Sequence, residues 1–180
     1  MTTYKEIFGK YVKNYSSDPS SDAEGQIWYN STSGTFKSQV SIGAAWASGG
    51  NLAIARLGLG GAGTQTAGLG FGGYQQSPLS ISNATEEYDG SACTSGGNLG
   101  TARFSLAGAG TQTAALGFGG YKVPATISAA TEEYDGTSWS AGGALITGRC
   151  TLAGAGTQNA GLAFGGYPIY PLGSCTEEYN

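Results

Sequence analysis

One block recurs three times, and the recurrence limits what this chain can fold into more than any other feature. Gly49-Gly50-Asn51-Leu52 leading to Arg56 returns as Gly96-Gly97-Asn98-Leu99 leading to Arg103, and as Gly142-Gly143-Ala144-Leu145 leading to Arg149, at spacings of 47 and then 46 residues. Each is followed by Gly-Ala-Gly-Thr-Gln (61–65, 108–112, 154–158), Phe-Gly-Gly-Tyr (71–74, 118–121, 164–167) and Thr-Glu-Glu-Tyr (85–88, 131–134, 176–179). A period of this length marks a propeller, a solenoid or another array whose units bury their apolar faces against their neighbours.

Composition selects the type of unit. Gly supplies 33 of 180 residues and only 11% are charged, which disfavours helix and suits tightly stacked sheets. The apolar share of 39%, with eleven Tyr and three Trp, separates the chain from disordered Gly/Ser-rich sequences. The expected fold is therefore all-β, with four antiparallel strands per repeat. In the middle copy they are read as 102–108, 113–118, 130–134 and 137–140, with a first turn at 110–113 and a two-residue Asp135-Gly136 turn before the fourth strand. Gly60-Gly61-Ala62-Gly63-Thr64-Gln65 superficially suggests a phosphate loop, but it lacks the Lys-Ser/Thr that follows in one, and it is read as a turn. The loops that vary between copies, 75–81, 122–127 and 168–173, link the second and third strands.

The double glycine after the second strand, then a Tyr and a Trp, as in Gly119-Gly120, Tyr134 and Trp139, resembles the kelch motif of β-propellers. The fuller pattern resembles kelch-like repeat proteins encoded by bacteriophages. The leader is similar to the one that precedes such repeats in phage virion proteins: Met1-Thr2-Thr3-Tyr4-Lys5-Glu6-Ile7, Ser17-Asp18-Pro19, and Gly25-Gln26-Ile27-Trp28-Tyr29-Asn30. One departure is Cys93, which occupies the position held by Trp46 and Trp139 in the other copies and reads as a small apolar filler. The resemblance implies a virion structural protein, made in the host cytoplasm and placed in a tail, fibre or capsid appendage. Residues 1–43 would be an anchoring arm that contacts other virion proteins through Tyr4, Ile7, Phe8, Tyr11 and Trp28, with one small hairpin at 27–29 and 35–37 and no independent fold. The alternatives are a subunit of a self-polymerising extracellular filament and a free glycan-binding lectin.

The repeats are expected at 44–95, 96–141 and 142–180, out of phase with the sheets. Residues 44–48, around Trp46, match the fourth strand around Trp139 but lack the three strands before it. The block ending in Tyr179 matches a third strand and lacks its fourth. Three units are too few for a propeller ring, so a homo-oligomer closed by strand exchange is expected, with Trp46 and Tyr179 at the contact. A prism-like monomer closed by its own ends, an open filament and a piece of a longer chain are the alternatives.

The chemistry is that of a binding protein and not of an enzyme. There is no histidine, which removes the usual general base and the commonest transition-metal ligand. No catalytic, cofactor or metal residue is expected. The glutamate pairs of the Thr-Glu-Glu-Tyr blocks stand on strands, where neighbours point to opposite faces and cannot converge on one ion. Salt pairs between repeats are expected instead, joining Arg56, Arg103 and Arg149 to Glu87, Glu133 and Glu178. A net charge of −4 without a basic cluster gives no footprint for nucleic acid, and no stretch is apolar enough for a membrane span. Tyr74, Tyr121, Tyr167 and Tyr170, beside the variable loops, are the candidate ligand-facing rings, with a surface polysaccharide as the ligand.

Overall fold

The computed structural model describes residues 3–7, 10–18, 27–38, 45–124, 126–168 and 173–180. The described elements are all strands, and they fall into two units, Met1–Ala47 and Ser48–Asn180. No helix among the described residues is long and apolar enough to cross a membrane.

The first unit is a four-stranded sheet of β1 (Thr3–Ile7), β2 (Lys10–Tyr15), β3 (Ile27–Asn30) and β4 (Thr35–Ser38), in that order. β2 and β3 run parallel and the other pairs antiparallel. The hairpin read at 27–29 and 35–37 is β3–β4. The rest of the expected loose arm is corrected to two further strands, an antiparallel hairpin that joins β3 through a parallel pairing of β2, which leaves no local signature. Asp18 ties the sheet together: its carboxylate accepts from Trp28 Nε1 (3.2 Å), Asn30 Nδ2 (2.8 Å) and Lys37 Nζ (2.6 Å). These donors, Lys37 foremost, hold the Asp18 carboxyl below its ordinary pKa. Trp28 is buried within this sheet. Tyr4, Ile7 and Tyr11 lie on β1 and β2, and Phe8 lies outside the described residues.

The second unit holds three sheets of the same pattern. The first joins β5 (Gly60–Thr64), β6 (Ala67–Phe71), β9 (Thr85–Tyr88) and β10 (Cys93–Ser95) as an antiparallel meander. A small hairpin, β7 (Tyr74–Gln76) and β8 (Leu79–Ile81), fills its variable loop. The second sheet joins β11 (Ala107–Thr111), β12 (Ala114–Phe118), β15 (Thr131–Tyr134) and β16 (Trp139–Ala141), with the hairpin β13 (Tyr121–Lys122) and β14 (Thr126–Ile127) in its loop. The third joins β17 (Ala153–Thr157), β18 (Ala160–Phe164) and β19 (Thr176–Tyr179). Register recurs with the sequence: Gly60 faces Phe71, Ala107 faces Phe118 and Ala153 faces Phe164.

Two strand assignments need correction. The Gly-Ala-Gly-Thr runs, read as turns, are the first strands, and the turns fall on the two residues that follow. The cause is packing: a Cβ on Gly108 would lie 2.4 Å from Gly61 O and 2.6 Å from the Phe71 ring, so only glycine lets β11 press against β5. The fourth strand begins at Trp139, paired with Tyr134, after a four-residue turn. The Asp135 carboxylate accepts the amides of Thr137 (2.8 Å) and Ser138 (2.7 Å) and so closes a longer loop than the Asp-Gly pair implied.

Two apolar clusters lie between successive sheets. Leu69 and Phe71 of the first sheet meet Ala115, Tyr134 and the half-buried Trp139 of the second. Leu116 and Phe118 of the second meet Ala163 and Tyr179 of the third. Full burial of each large side chain contributes about 1.5–3 kcal/mol, so each sheet is held chiefly by its neighbour.

Candidate functional site

The arginine that ends each Gly-Gly block lies beneath its own sheet. Arg103 is fully buried; its Nη1 donates to Gly119 O (2.8 Å) and Ala130 O (2.7 Å), and its Nη2 to Glu132 Oε1 (2.8 Å). Arg56 makes the same three bonds to Gly72 O, Ala84 O and Glu86, each 2.7 Å. Arg149 repeats them with Gly165 O, Cys175 O and Glu177. The other oxygen of each carboxylate takes a backbone amide, from Ala53, Gly100 or Ile146. Burial pushes the Arg103 guanidinium below its ordinary pKa, and Glu132 opposes the shift. The Nε–H of all three arginines is buried without a protein acceptor.

The expected pairing of Arg56, Arg103 and Arg149 with Glu87, Glu133 and Glu178 is therefore corrected. Each arginine takes the first glutamate of the pair, within its own repeat. Alternation along the strand sends the second glutamate to the other face, toward the next repeat. There Tyr134 Oη donates to Glu87 Oε1 at 2.6 Å, and Tyr179 Oη donates to Glu133 Oε1. Burial, then the Glu87 carboxylate, pushes the Tyr134 phenol up to about 12. The two glutamates of a pair thus serve different partners, and no shared acid site forms.

The seam between repeats is a fixed set of polar contacts around the apolar cluster. Gln112 Nε2 reaches back to Gly68 O (3.0 Å) and Tyr88 O (2.9 Å), and Gln158 Nε2 to Ala115 O (3.2 Å) and Tyr134 O (2.7 Å). The backbone adds Ser105 N to Gly58 O (2.6 Å) and Thr151 N to Ser105 O (2.8 Å), then Gly73 N to Arg103 O and Gly120 N to Arg149 O, both 2.8 Å. One contact occurs at the first seam alone among the described residues. Trp139 Nε1 donates to Thr85 Oγ1 (2.9 Å), and its ring lies 4.8 Å from Phe71 and 4.9 Å from Tyr134.

At the second seam the corresponding place is open. Beside β19 lies an open cleft lined by Leu116, Phe118, Thr131, Gly161 and Tyr179 among others. Phe118, Thr131 and Tyr179 are the counterparts of the three residues that Trp139 touches. β19 itself has no strand on its outer edge among the described residues. The outer face of the third sheet is likewise uncovered: Leu162 is 36% and Phe164 38% exposed, against 0–4% for Leu69, Phe71, Leu116 and Phe118.

Trp46, expected on a strand, lies in a segment (45–50) without secondary structure and is fully exposed. Tyr74 and Tyr121 are half-buried and flank Phe104 at 5.7 and 5.6 Å, forming an aromatic column across two repeats. Tyr167 is exposed, and Tyr170 lies outside the described residues. Cys93 pairs with Tyr88 in the register that Trp139 holds with Tyr134. Sequence reading missed Gln112, Gln158, Thr85 and Thr131 as seam residues. The signal was present, since the glutamine closes every Gly-Ala-Gly-Thr-Gln block and the threonine opens every Thr-Glu-Glu-Tyr block.

No family model matches this chain, and no curated protein matches it.

Proposed function

We propose that the chain is a non-enzymatic structural protein whose kelch-like repeats assemble with further copies of themselves. One observation carries this reading: the second and third sheets meet the sheets before them through a repeated seam, and the third sheet presents that seam's apolar half uncovered, at Leu162 and Phe164. Five of the six glutamates of the Thr-Glu-Glu-Tyr blocks are already engaged. Glu86, Glu132 and Glu177 are bound to buried arginines, and Glu87 and Glu133 accept tyrosine hydroxyls. The resemblance of leader and repeats to bacteriophage proteins supports a virion appendage as the setting of the assembly, with the N-terminal sheet as its attachment to other virion proteins. Tyr167 is the exposed ring that would meet a surface polysaccharide.

A contact between two different ends of the molecule is heterologous, and repeats either close into a ring or extend as a filament. The unlike ends of this stack favour the filament as the second reading. Light scattering of the purified 180-residue chain, paired with negative-stain images, tests the proposal. Rings or fibres of many-fold mass are expected; a chain that remains monomeric at high concentration overturns it.

A further inference from the structure

We propose that the segment around Trp46 of one copy adds to β19 of a second copy as its fourth strand, with the Trp46 indole filling the cleft formed by Phe118, Thr131 and Tyr179. This inference rests on the self-assembly reading and specifies its contact. The internal seam is the template. Trp139 stands on β16, pairs antiparallel beside Tyr134, packs at a tilt against Phe71 and donates to Thr85 Oγ1. The cleft beside β19 offers the same set, Tyr179, Phe118 and Thr131, and Trp46 stands three residues before Gly49-Gly50, as Trp139 stands before Gly142-Gly143.

The backbone around the cleft is open in the same place. A Cβ on Gly50 would lie 2.2 Å from Ser91 O and one on Gly97 2.1 Å from Thr137 O, both carbonyls of the turn before a fourth strand. Gly143, their counterpart, meets only the Tyr179 ring, at 3.4 Å. A donated strand beside β19 restores this contact.

The rest of the two ends matches as well, contact for contact. Gly108 and Gly154 press on the preceding strand, where a Cβ would come within 2.4 and 2.5 Å of a carbonyl oxygen, whereas a Cβ on Gly61 would meet only Leu69 O at 3.6 Å. The first sheet therefore carries an uncovered glycine strand and the third an uncovered Phe164. Among the described residues, Glu178 is exposed without the tyrosine hydroxyl that Glu87 and Glu133 receive, and Tyr88 lacks the carboxylate that Tyr134 and Tyr179 reach. Gln65 is exposed, while Gln112 and Gln158 bridge backwards. Stacking the first sheet of one copy on the third sheet of another pairs Tyr88 with Glu178, sets Gln65 on the carbonyls of Gly161 and Tyr179, and covers Phe164. A dissimilar partner would have to reproduce all of these by coincidence, so the occupant is a second copy of this chain.

Two variants separate the ends. Trp46→Ala with Gly61→Val disables the donor end: Trp46 is fully exposed, and a valine at Gly61 fits alone but collides in a stack. Leu162→Arg disables the acceptor end at an exposed position. Circular dichroism spectra of both should match the parent, and each alone should be monomeric by light scattering, melting below the assembled parent. Mixed in equal amounts, the intact donor of one should occupy the intact acceptor of the other and yield dimers that grow no further. If the parent assembles while the folded donor variant keeps its mass, or if the mixture stays monomeric, the Trp46 contact is wrong and self-assembly proceeds by another surface. If the parent itself is monomeric, the underlying reading fails too.

Discussion

The indole of Trp139 donates to Thr85 Oγ1 at 2.9 Å across 54 residues of chain, so a fourth strand of one repeat is bolted to the third strand of the repeat before it. Trp139→Phe keeps the ring over Phe71 and removes this bond, and Thr85→Val removes the acceptor. Each should lower stability by about 1 kcal/mol. A urea double-mutant cycle should return a coupling of about the same size; additive effects would mean that the bond contributes nothing.

The three classes of glutamate should separate cleanly in the Trp46→Ala, Gly61→Val chain, whose donor end is disabled. Glu132→Gln leaves the fully buried Arg103 without its counter-charge and should cost about 3–5 kcal/mol. Glu133→Gln weakens a single bond from Tyr179 and should cost about 1 kcal/mol. Glu178→Gln, exposed, should stay within about 0.5 kcal/mol. Denaturant midpoints read all three. A loss of polysaccharide hydrolysis on Glu132→Gln, with stability unchanged, would mark an active site instead of a strut.

The glycine strands give a paired test of steric fit. Gly108→Ala places a methyl against Gly61 O and the Phe71 ring and should destabilise by about 1–3 kcal/mol. Gly61→Ala, in ordinary contact only, should be near neutral in the monomer. Melting temperatures of the two variants give the comparison.

Alkaline pH should loosen the seam. The Tyr134 phenol is raised from an ordinary value near 10 to about 12, so its contribution is fully present below pH 10 and is lost as pH rises through 12. The Tyr179 phenol is raised as well, first by its bond to Glu133 and then by burial, and adds in the same direction. Stability followed by urea unfolding should fall between pH 10 and pH 12, and Tyr134→Phe should flatten the fall.

Much of this architecture is legible in the repeat itself. The second and third strands follow from Phe-Gly-Gly and Thr-Glu-Glu-Tyr blocks whose alternation and bounding turns are local. The first strand, read at 102–108, is displaced from its place at Ala107–Thr111 because Gly-Ala-Gly-Thr has the composition of a turn, and only the neighbouring copy of the same run makes it a strand. The Arg–Glu pairing failed by one residue for a related reason. Periodicity shows that Glu86 and Glu87 face apart, but which face turns toward its own arginine depends on where the chain crosses beneath the sheet. The parallel pairing that joins β2 to the β3–β4 hairpin leaves no local signature, since Lys13 and Trp28 are distant in the chain.

Hydrogen exchange along β19 tests the central claim most directly. Its inner edge is already paired with β18, while its outer edge is open in the single chain. In the assembled parent protein the outward amides of Thr176–Tyr179 should become strongly protected, and in the Trp46→Ala, Gly61→Val chain they should exchange freely. Equal exchange in the two would contradict strand donation.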